Sequence, residues 1–132
     1  MSMTAAKAGL SRIAPEMPAA NLGEAIEYYV EKLGFELASA MPEGEYAIVE
    51  RDGVAIHLFC DWSPDGERRH SGVAAHVFVE EIDALYAELA ARGAEITQAI
   101  ERKPWGNRDF RVRDPFGNDL KFTEAVDRPT GH

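Results

Sequence analysis

The chain has 132 residues, of which 45% are hydrophobic and 28% charged, and its 14 basic and 23 acidic side chains give a formal charge of −9. This composition is typical of one globular domain and excludes a disordered chain. An acidic surface repels phosphate backbones and anionic lipid, so we expect neither nucleic acid nor a membrane as partner. The single cysteine, Cys60, excludes an internal disulfide, and the absence of a secretory signal favours a cytoplasmic protein.

The first half of the chain predicts a strand, a helix and three further strands. The leading strand is expected near residues 10–17. Asn21 is a predicted helix cap, since Glu24 follows three residues later as in a capping box, and Gly34 is the expected stop. An Asp-Gly pair then turns into an alternating strand over residues 54–60.

The second half repeats this order. A leading strand is predicted over residues 73–79, and a helix begins near Asp83 and stops at Gly93. The turn Phe116-Gly117-Asn118 then opens the last strand, residues 119–123. The duplication predicts one domain over residues 10–125, built of two βαβββ modules at about 10–61 and 72–125.

Two helices cannot shield both faces of eight strands. We therefore expect an α+β fold in which the two modules form a half-barrel, with the helices on its convex face and a ligand on its concave face. In the fourth strand Ile56 and Leu58 should meet the helix. The side chains that alternation directs to the concave face are His57, Phe59, His76, Phe78, Arg111, Lys121 and Thr123. His57 and Lys121 each lie four residues after the glycine of their turn, so we expect them to face each other across the cavity.

Three segments carry a resemblance to a known family: residues 23–35, residues 82–89, and the stretch 104–118 with its Pro-Trp-Gly and Asp-Pro-Phe-Gly-Asn motifs. They resemble the vicinal oxygen chelate superfamily, which includes glyoxalase I, extradiol dioxygenases and fosfomycin-resistance proteins. Within that superfamily the likeness is greatest to bleomycin resistance proteins. The resemblance implies paired βαβββ modules and a homodimer whose grooves lie at or near the subunit interface.

The enzymes of this superfamily hold a divalent ion with His, Gln or Glu from the first, fourth, fifth and eighth strands. The matching positions here fall near Ala14 or Pro15 and on His57, Ala74 and Lys121. Of these, only His57 suits a metal, and a protonated lysine repels a cation. The resemblance thus implies no metal site and no cofactor, and it makes catalytic residues unexpected.

What remains is binding. The resemblance implies that Trp105 lines the groove, where its indole face would stack on a flat ligand; the alternative is that it plugs the open end of the half-barrel. Trp62 is a second candidate wall or a dimer contact. We therefore expect a metal-free protein that sequesters a planar, drug-like compound, with antibiotic resistance as its role.

Two other functions stay open. A divalent-metal glyoxalase-like isomerase, lyase or dioxygenase would need His57 and His76 to hold the ion in an unfamiliar way. A binding module for a small anionic metabolite would use Arg111 and Lys121, because a buried arginine needs an anionic partner. That partner is alternatively an inward acid of the chain itself, such as Asp109 or Asp119.

Overall fold

The computed structural model describes residues 8–41, 43–61 and 72–124. Its elements in chain order are β1 (Glu16–Ala19), α1 (Leu22–Glu31), β2 (Glu36–Ala40), β3 (Tyr46–Arg51), β4 (Val54–Cys60), β5 (Ala74–Phe78), α2 (Ile82–Arg92), β6 (Glu95–Arg102), β7 (Arg108–Arg113) and β8 (Asp119–Glu124). This order confirms the α+β class and the duplicated βαβββ pattern. We call β1–β4 with α1 the first module and β5–β8 with α2 the second.

Each module forms its own open, four-stranded sheet, with strand orders β1-β4-β3-β2 and β5-β8-β7-β6. The leading strand of each module runs parallel to the last strand, and the other pairs are antiparallel. The registers match: Glu16 lies opposite His57 in the first module, and His76 lies opposite Lys121 in the second. Glu16 is therefore equivalent to His76, and His57 is equivalent to Lys121.

The helix ends follow the signals in the sequence. The Asn21 side chain accepts a hydrogen bond of 2.9 Å from the Glu24 backbone N–H, which confirms the predicted cap. Gly93 ends α2 at φ 85°, a conformation that costs glycine little. At the start of α2 the Ile82 N–H donates to the Glu124 carboxylate of β8 at 3.0 Å, so the cap comes from a distant strand.

The hydrophobic core lies between each helix and one face of each sheet. Ile56 and Leu58 of β4 and Leu120 of β8 are fully buried in it, which confirms the predicted helix-facing side of the strands. Phe110 stacks on Phe122 with ring centroids 5.2 Å apart. The opposite side of each sheet is called its open face below.

The Asp-Pro-Phe-Gly-Asn motif joins the two modules. The buried Asp114 carboxylate accepts hydrogen bonds from the Tyr29 hydroxyl at 2.9 Å and the Asn118 side-chain amide at 2.8 Å. It also accepts from the backbone N–H groups of Phe116 and Asn118. The Asn118 amide donates in addition to the Pro18 carbonyl of β1 at 2.9 Å. The most specific motif of the sequence is therefore a structural joint.

The leading strand of the first module is shorter than expected. It begins at Glu16 instead of near residue 10, and Leu10 and Ile13 are fully exposed. Pro15 explains the limit, because it accepts a hydrogen bond from the His57 N–H but has no N–H to donate to the ladder. Among the described residues, no helix is long and apolar enough to cross a membrane.

Candidate functional site

The open face of the first module carries a hydrogen-bonded chain of three side chains. The Tyr46 hydroxyl lies 2.9 Å from the Glu16 carboxylate and 2.5 Å from Nδ1 of His57. A carboxylate can only accept, so Tyr46 donates its one proton to Glu16 and accepts from the Nδ1–H of His57. When the His57 ring carries one proton, this arrangement leaves its Nε2 as an acceptor. Phe59 lies opposite Tyr46 in the ladder and extends the same face.

The Tyr46 hydroxyl keeps its proton. Burial, and then the hydrogen bond and negative charge of Glu16, raise the pKa of Tyr46 above its ordinary value. The Tyr46 and His57 rings also meet edge to face, with centroids 5.4 Å apart. The face thus presents a fixed imidazole beside aromatic surface.

The open face of the second module begins with a histidine beside an exposed aromatic ring. His76 and Phe78 stack with centroids 4.4 Å apart and ring planes 30° apart, and Phe78 is 65% exposed. Nε2 of His76 lies 2.6 Å from the Thr123 hydroxyl, across the parallel pair of β5 and β8. Burial, and next the charge of Lys121, lower the pKa of His76, so this ring is neutral at pH 7.

The open face of the second module also holds a buried carboxylate. Asp109 is 1% exposed and accepts a hydrogen bond of 2.6 Å from the Gln98 amide. The Lys103 ammonium lies 3.5 Å from one of its oxygens and the Lys121 ammonium 3.8 Å from the other. That second oxygen, Oδ2, is buried without a hydrogen-bond partner among the described residues. Asp109 therefore holds the two lysines close to the sheet and partly neutralises them.

Arg111 is held more loosely. It lies opposite Lys121 in the ladder between β7 and β8, and its nearest carboxylate is that of Asp119, 3.9 Å from Nη1. At this distance the two groups form an ion pair but no hydrogen bond. Of the two acids named as alternative partners of Arg111, Asp119 is thus paired with it at a long distance, while Asp109 pairs with lysines. With respect to the residues that the structure describes, the guanidinium keeps donors for a further anion, and its side chain is 36% exposed.

Trp105 lies in the loop between β6 and β7 and is 64% exposed. The loop is fixed by backbone bonds from Lys103 to Asn107 and from Gly106 to Lys103, and by the Arg102 guanidinium, which donates to the Gly106 carbonyl at 3.0 Å. A rigid loop thus presents a largely open indole. Trp62, the other predicted aromatic wall, lies outside the described residues.

The structure brings the predicted residues together in two groups. His57 and Phe59 lie on the open face of the first module, and the face of the second holds His76, Phe78, Arg111 and Lys121. Within the described parts of the chain, no three His, Cys, Asp or Glu side chains come close enough to hold a metal ion.

Sequence reasoning missed Glu16, Tyr46 and Gln98. Alternation along β3 places Tyr46 on the face opposite the buried Ala47 and Val49, a signal that the sequence does contain. Glu16 could be found only with the correct start of β1. Gln98 follows an irregularity in the pairing of β6 with β7, which sequence alternation cannot reveal.

Paired βαβββ modules, each with a polar and aromatic open face, define a recognised class of protein. A sequence profile of the Glyoxalase/Bleomycin resistance protein/Dioxygenase superfamily matches residues 9–122. The chain belongs to this superfamily, the vicinal oxygen chelate group.

Individual relatives narrow the comparison. The chain is 27% identical over 128 residues to a bleomycin resistance protein of Geobacillus stearothermophilus, with 85% of this chain and 95% of the relative covered. The crystal structure of TioX from Micromonospora sp. ML1 superposes with a TM-score of 0.76 at 25% identity, covering 88% of this chain and 99% of that one. A lactoylglutathione lyase from Agrobacterium tumefaciens shares the fold, with a TM-score of 0.71 at 18% identity over 90% of this chain and 96% of that one.

Proposed function

We propose that this chain is a small-molecule binding protein of the bleomycin-resistance type, which sequesters a planar compound without metal or covalent chemistry. The relatives named bleomycin resistance protein support the class, since they match along 85% of the chain. Antibiotic resistance is the role that this likeness favours. We place the protein in the cytoplasm as part of this proposal.

The observation that carries the proposal is the composition of the second open face. An exposed phenyl ring, Phe78, stacks on His76 directly beside the Lys121 ammonium. A flat ligand can extend this stack while its polar groups meet Lys121 and Arg111. Trp105 adds an exposed indole on the loop that leads into β7. Stacking and burial then supply the affinity.

A second copy of the chain completes the groove in this proposal. The two open faces belong to separate sheets, and β5 lies at the edge of its sheet. Docking the first module of one copy against the second module of another would enclose the ligand between His57 and Lys121. Stable homodimers bury roughly 1,200 Å² or more, and exposed Leu37, Met41 and Val73 offer apolar area for it.

Sequestration follows from this geometry without a reaction step. Nε2 of His57 accepts a hydrogen bond from the ligand, and Arg111 and Lys121 donate to it. The Glu16–Tyr46 pair fixes the orientation of His57, while Asp109 fixes Lys121. Groups that are held in place before binding lose little entropy when the ligand arrives.

A titration with metal-free bleomycin tests the proposal. Saturation near one drug per subunit, with a Kd in the micromolar range or tighter, supports sequestration of that drug. Tryptophan fluorescence follows the binding, and Trp62→Phe isolates the signal of Trp105. Trp105→Phe should weaken binding several-fold, because a smaller ring stacks less area. If the fluorescence of neither the original protein nor Trp62→Phe changes during the titration, bleomycin is not the ligand.

The long Arg111–Asp119 separation favours a second candidate, a binding module for a small anionic metabolite. An arginine whose best partner is 3.9 Å away gains from a bidentate carboxylate or phosphate. Benzoate and phenyl phosphate are suitable probes, with benzyl alcohol as the neutral control. Tighter binding of the two anions than of the alcohol supports this candidate, and equal affinities would oppose it.

A further inference from the structure

The duplication allows the two joints between the modules to be compared residue by residue. α1 begins at Leu22 and α2 at Ile82, so Tyr29 and Leu89 are the eighth residues of their helices. The turns before β4 and β8 contain the left-handed glycines Gly53 and Gly117, so Val54 and Asn118 are equivalent as well.

The first joint is filled. Tyr29 and Asn118 are fully buried there, and both bond to Asp114. In the second joint, the smaller Leu89 and Val54 take these positions. The space left between α2, β5 and the turn before β4 is a cavity of about 460 Å³. A volume of this size lies within the ~300–1,000 Å³ range of small-molecule sites.

The cavity has an apolar floor and an acidic rim. The apolar side chains that line it include Leu33, Phe35, Val77, Leu85, Leu89 and Phe122. The rim carries the carboxylates of Asp52, Glu80 and Glu81. Arg51, the one cation among the described residues that line it, is already held by Glu88 at 2.7 and 3.0 Å and by the Leu33 carbonyl at 2.8 Å. The rim is therefore negative overall.

The Glu81 side chain is available for a ligand. Although Glu81 precedes α2, its side chain makes no capping bond, because Glu124 binds the first N–H of the helix instead. Both Glu80 and Glu81 are exposed at the mouth of the cavity. An apolar floor below exposed carboxylates complements a molecule with an apolar body and a positive end.

We propose that this cavity is a second ligand site for a small molecule with an apolar body and one cationic group; it adjoins the second open face at Phe78 but lies between α2 and the turn before β4. An alkylammonium ion is the simplest compound of this class. Its chain would replace water against Leu85 and Leu89, while the ammonium remains at the rim with Glu80 and Glu81. The site does not require a dimer.

Hexyltrimethylammonium is the probe, with hexanoate and 1-hexanol as the anionic and neutral comparisons of equal chain length. NMR titration of the ¹⁵N-labelled protein should shift the amides of α2 and β5, with the ammonium binding most tightly. If hexanoate binds as tightly as the ammonium, the proposed preference for a cation is wrong. If none of the three compounds shifts these amide signals, the cavity is not a ligand site.

Two substitutions on the same helix locate the site. Ala84 lines the cavity and is exposed, so Ala84→Phe should fill the mouth and abolish binding without disturbing the core. Ala87 is exposed on α2 but outside the cavity, so Ala87→Phe should bind the probe like the original protein. Equal affinity of both variants would contradict the proposed position.

Charge variants test the rim. The double change Glu80→Gln and Glu81→Gln should weaken the ammonium about five- to tenfold at low ionic strength and leave 1-hexanol unaffected. Glu27→Gln, on the exposed side of α1, is the matched control. Lys121→Ala should not change probe binding, and a loss in that variant would place the probe in the groove instead.

Discussion

The two modules share one register but present opposite chemistry on their open faces. The paired positions Glu16 and His57 in the first module correspond to His76 and Lys121 in the second. Likewise, the apolar Ile48 beside His57 corresponds to Arg111 beside Lys121. The first face is an acid and an imidazole linked by a phenol, while the second is cationic over a buried carboxylate.

The comparison shows which positions the duplicated fold constrains. Helix starts, turn glycines and the buried alternate residues correspond in both modules because the core requires them. The open faces do not pack against the helices, so their side chains are free to differ. The joints between the modules also differ, since one is closed by Tyr29 and Asn118 and the other is lined by the smaller Leu89 and Val54.

The largest predicted effect concerns the closed joint. Asp114→Ala removes a buried acceptor of four hydrogen bonds and strands the donors of Tyr29 and Asn118. We expect a loss of about 3–4 kcal/mol in the free energy of unfolding, measured by urea denaturation. Arg51→Ala, at the equivalent turn of the other module, should cost only ~1 kcal/mol, because the Arg51–Glu88 pair is partly solvated.

If Asp114→Ala does not fold, Tyr29→Phe provides the measurement, since it removes one of the four bonds. Its expected cost is about 1–1.5 kcal/mol. No measurable loss for Tyr29→Phe would contradict the joint. The half-buried Tyr28 is not a neutral control, because its hydroxyl also reaches the second module, at the Arg113 carbonyl and the Glu95 N–H.

The next effect concerns the cationic face. Arg111→Ala and Lys121→Ala together should weaken an anionic ligand such as phenyl phosphate by roughly 100-fold, because each lost charge-assisted bond contributes about 1.5 kcal/mol. Isothermal titration calorimetry measures this, with the exposed Arg12→Ala as a control for net charge. A similar loss in the control would mean that the effect comes from overall charge and not from this face.

The acid–phenol–imidazole chain of the first face predicts a smaller effect. Tyr46→Phe removes the acceptor for Nδ1–H, so His57 should lose its single tautomer. Long-range ¹H–¹⁵N correlation spectra should show mainly the Nδ1–H form in the original protein and a mixture in the variant. Ligand affinity should fall only a few-fold. A mixture already present in the original protein would contradict the hydrogen-bond assignment.

The smallest effect is a pH dependence from His76. Its pKa in the folded protein lies below the ordinary value of 6.5, so the unfolded chain takes up the proton first as the pH falls. The contribution of neutral His76 to the free energy of unfolding is therefore fully present above pH 6.5, and it is lost as the pH falls below that value. The neighbouring charges are Lys121, Arg111 and Asp109. Thermal unfolding at pH 5 and 7.5 should show a smaller difference in His76→Gln than in the original protein.

Much of the fold was predictable from the sequence because glycines and alternating strands mark it directly. The exception was β1, where the effect of Pro15 on the ladder was overlooked. Alternation also predicted which residues lie on the strand faces opposite the core. Their partners were not predictable: the bonds of Asp109 to Gln98, Lys103 and Lys121 depend on loop paths and irregular pairing that no local pattern encodes.

The central claim is that the groove binds its ligand without a metal ion. The most direct measurement is the affinity for metal-free bleomycin before and after dialysis against a chelator, together with the metal content of both samples. Metal-free binding predicts no retained metal and unchanged affinity. A divalent ion that survives dialysis, and is lost in the His57→Ala and His76→Ala double variant, would contradict it and identify a metal-dependent site.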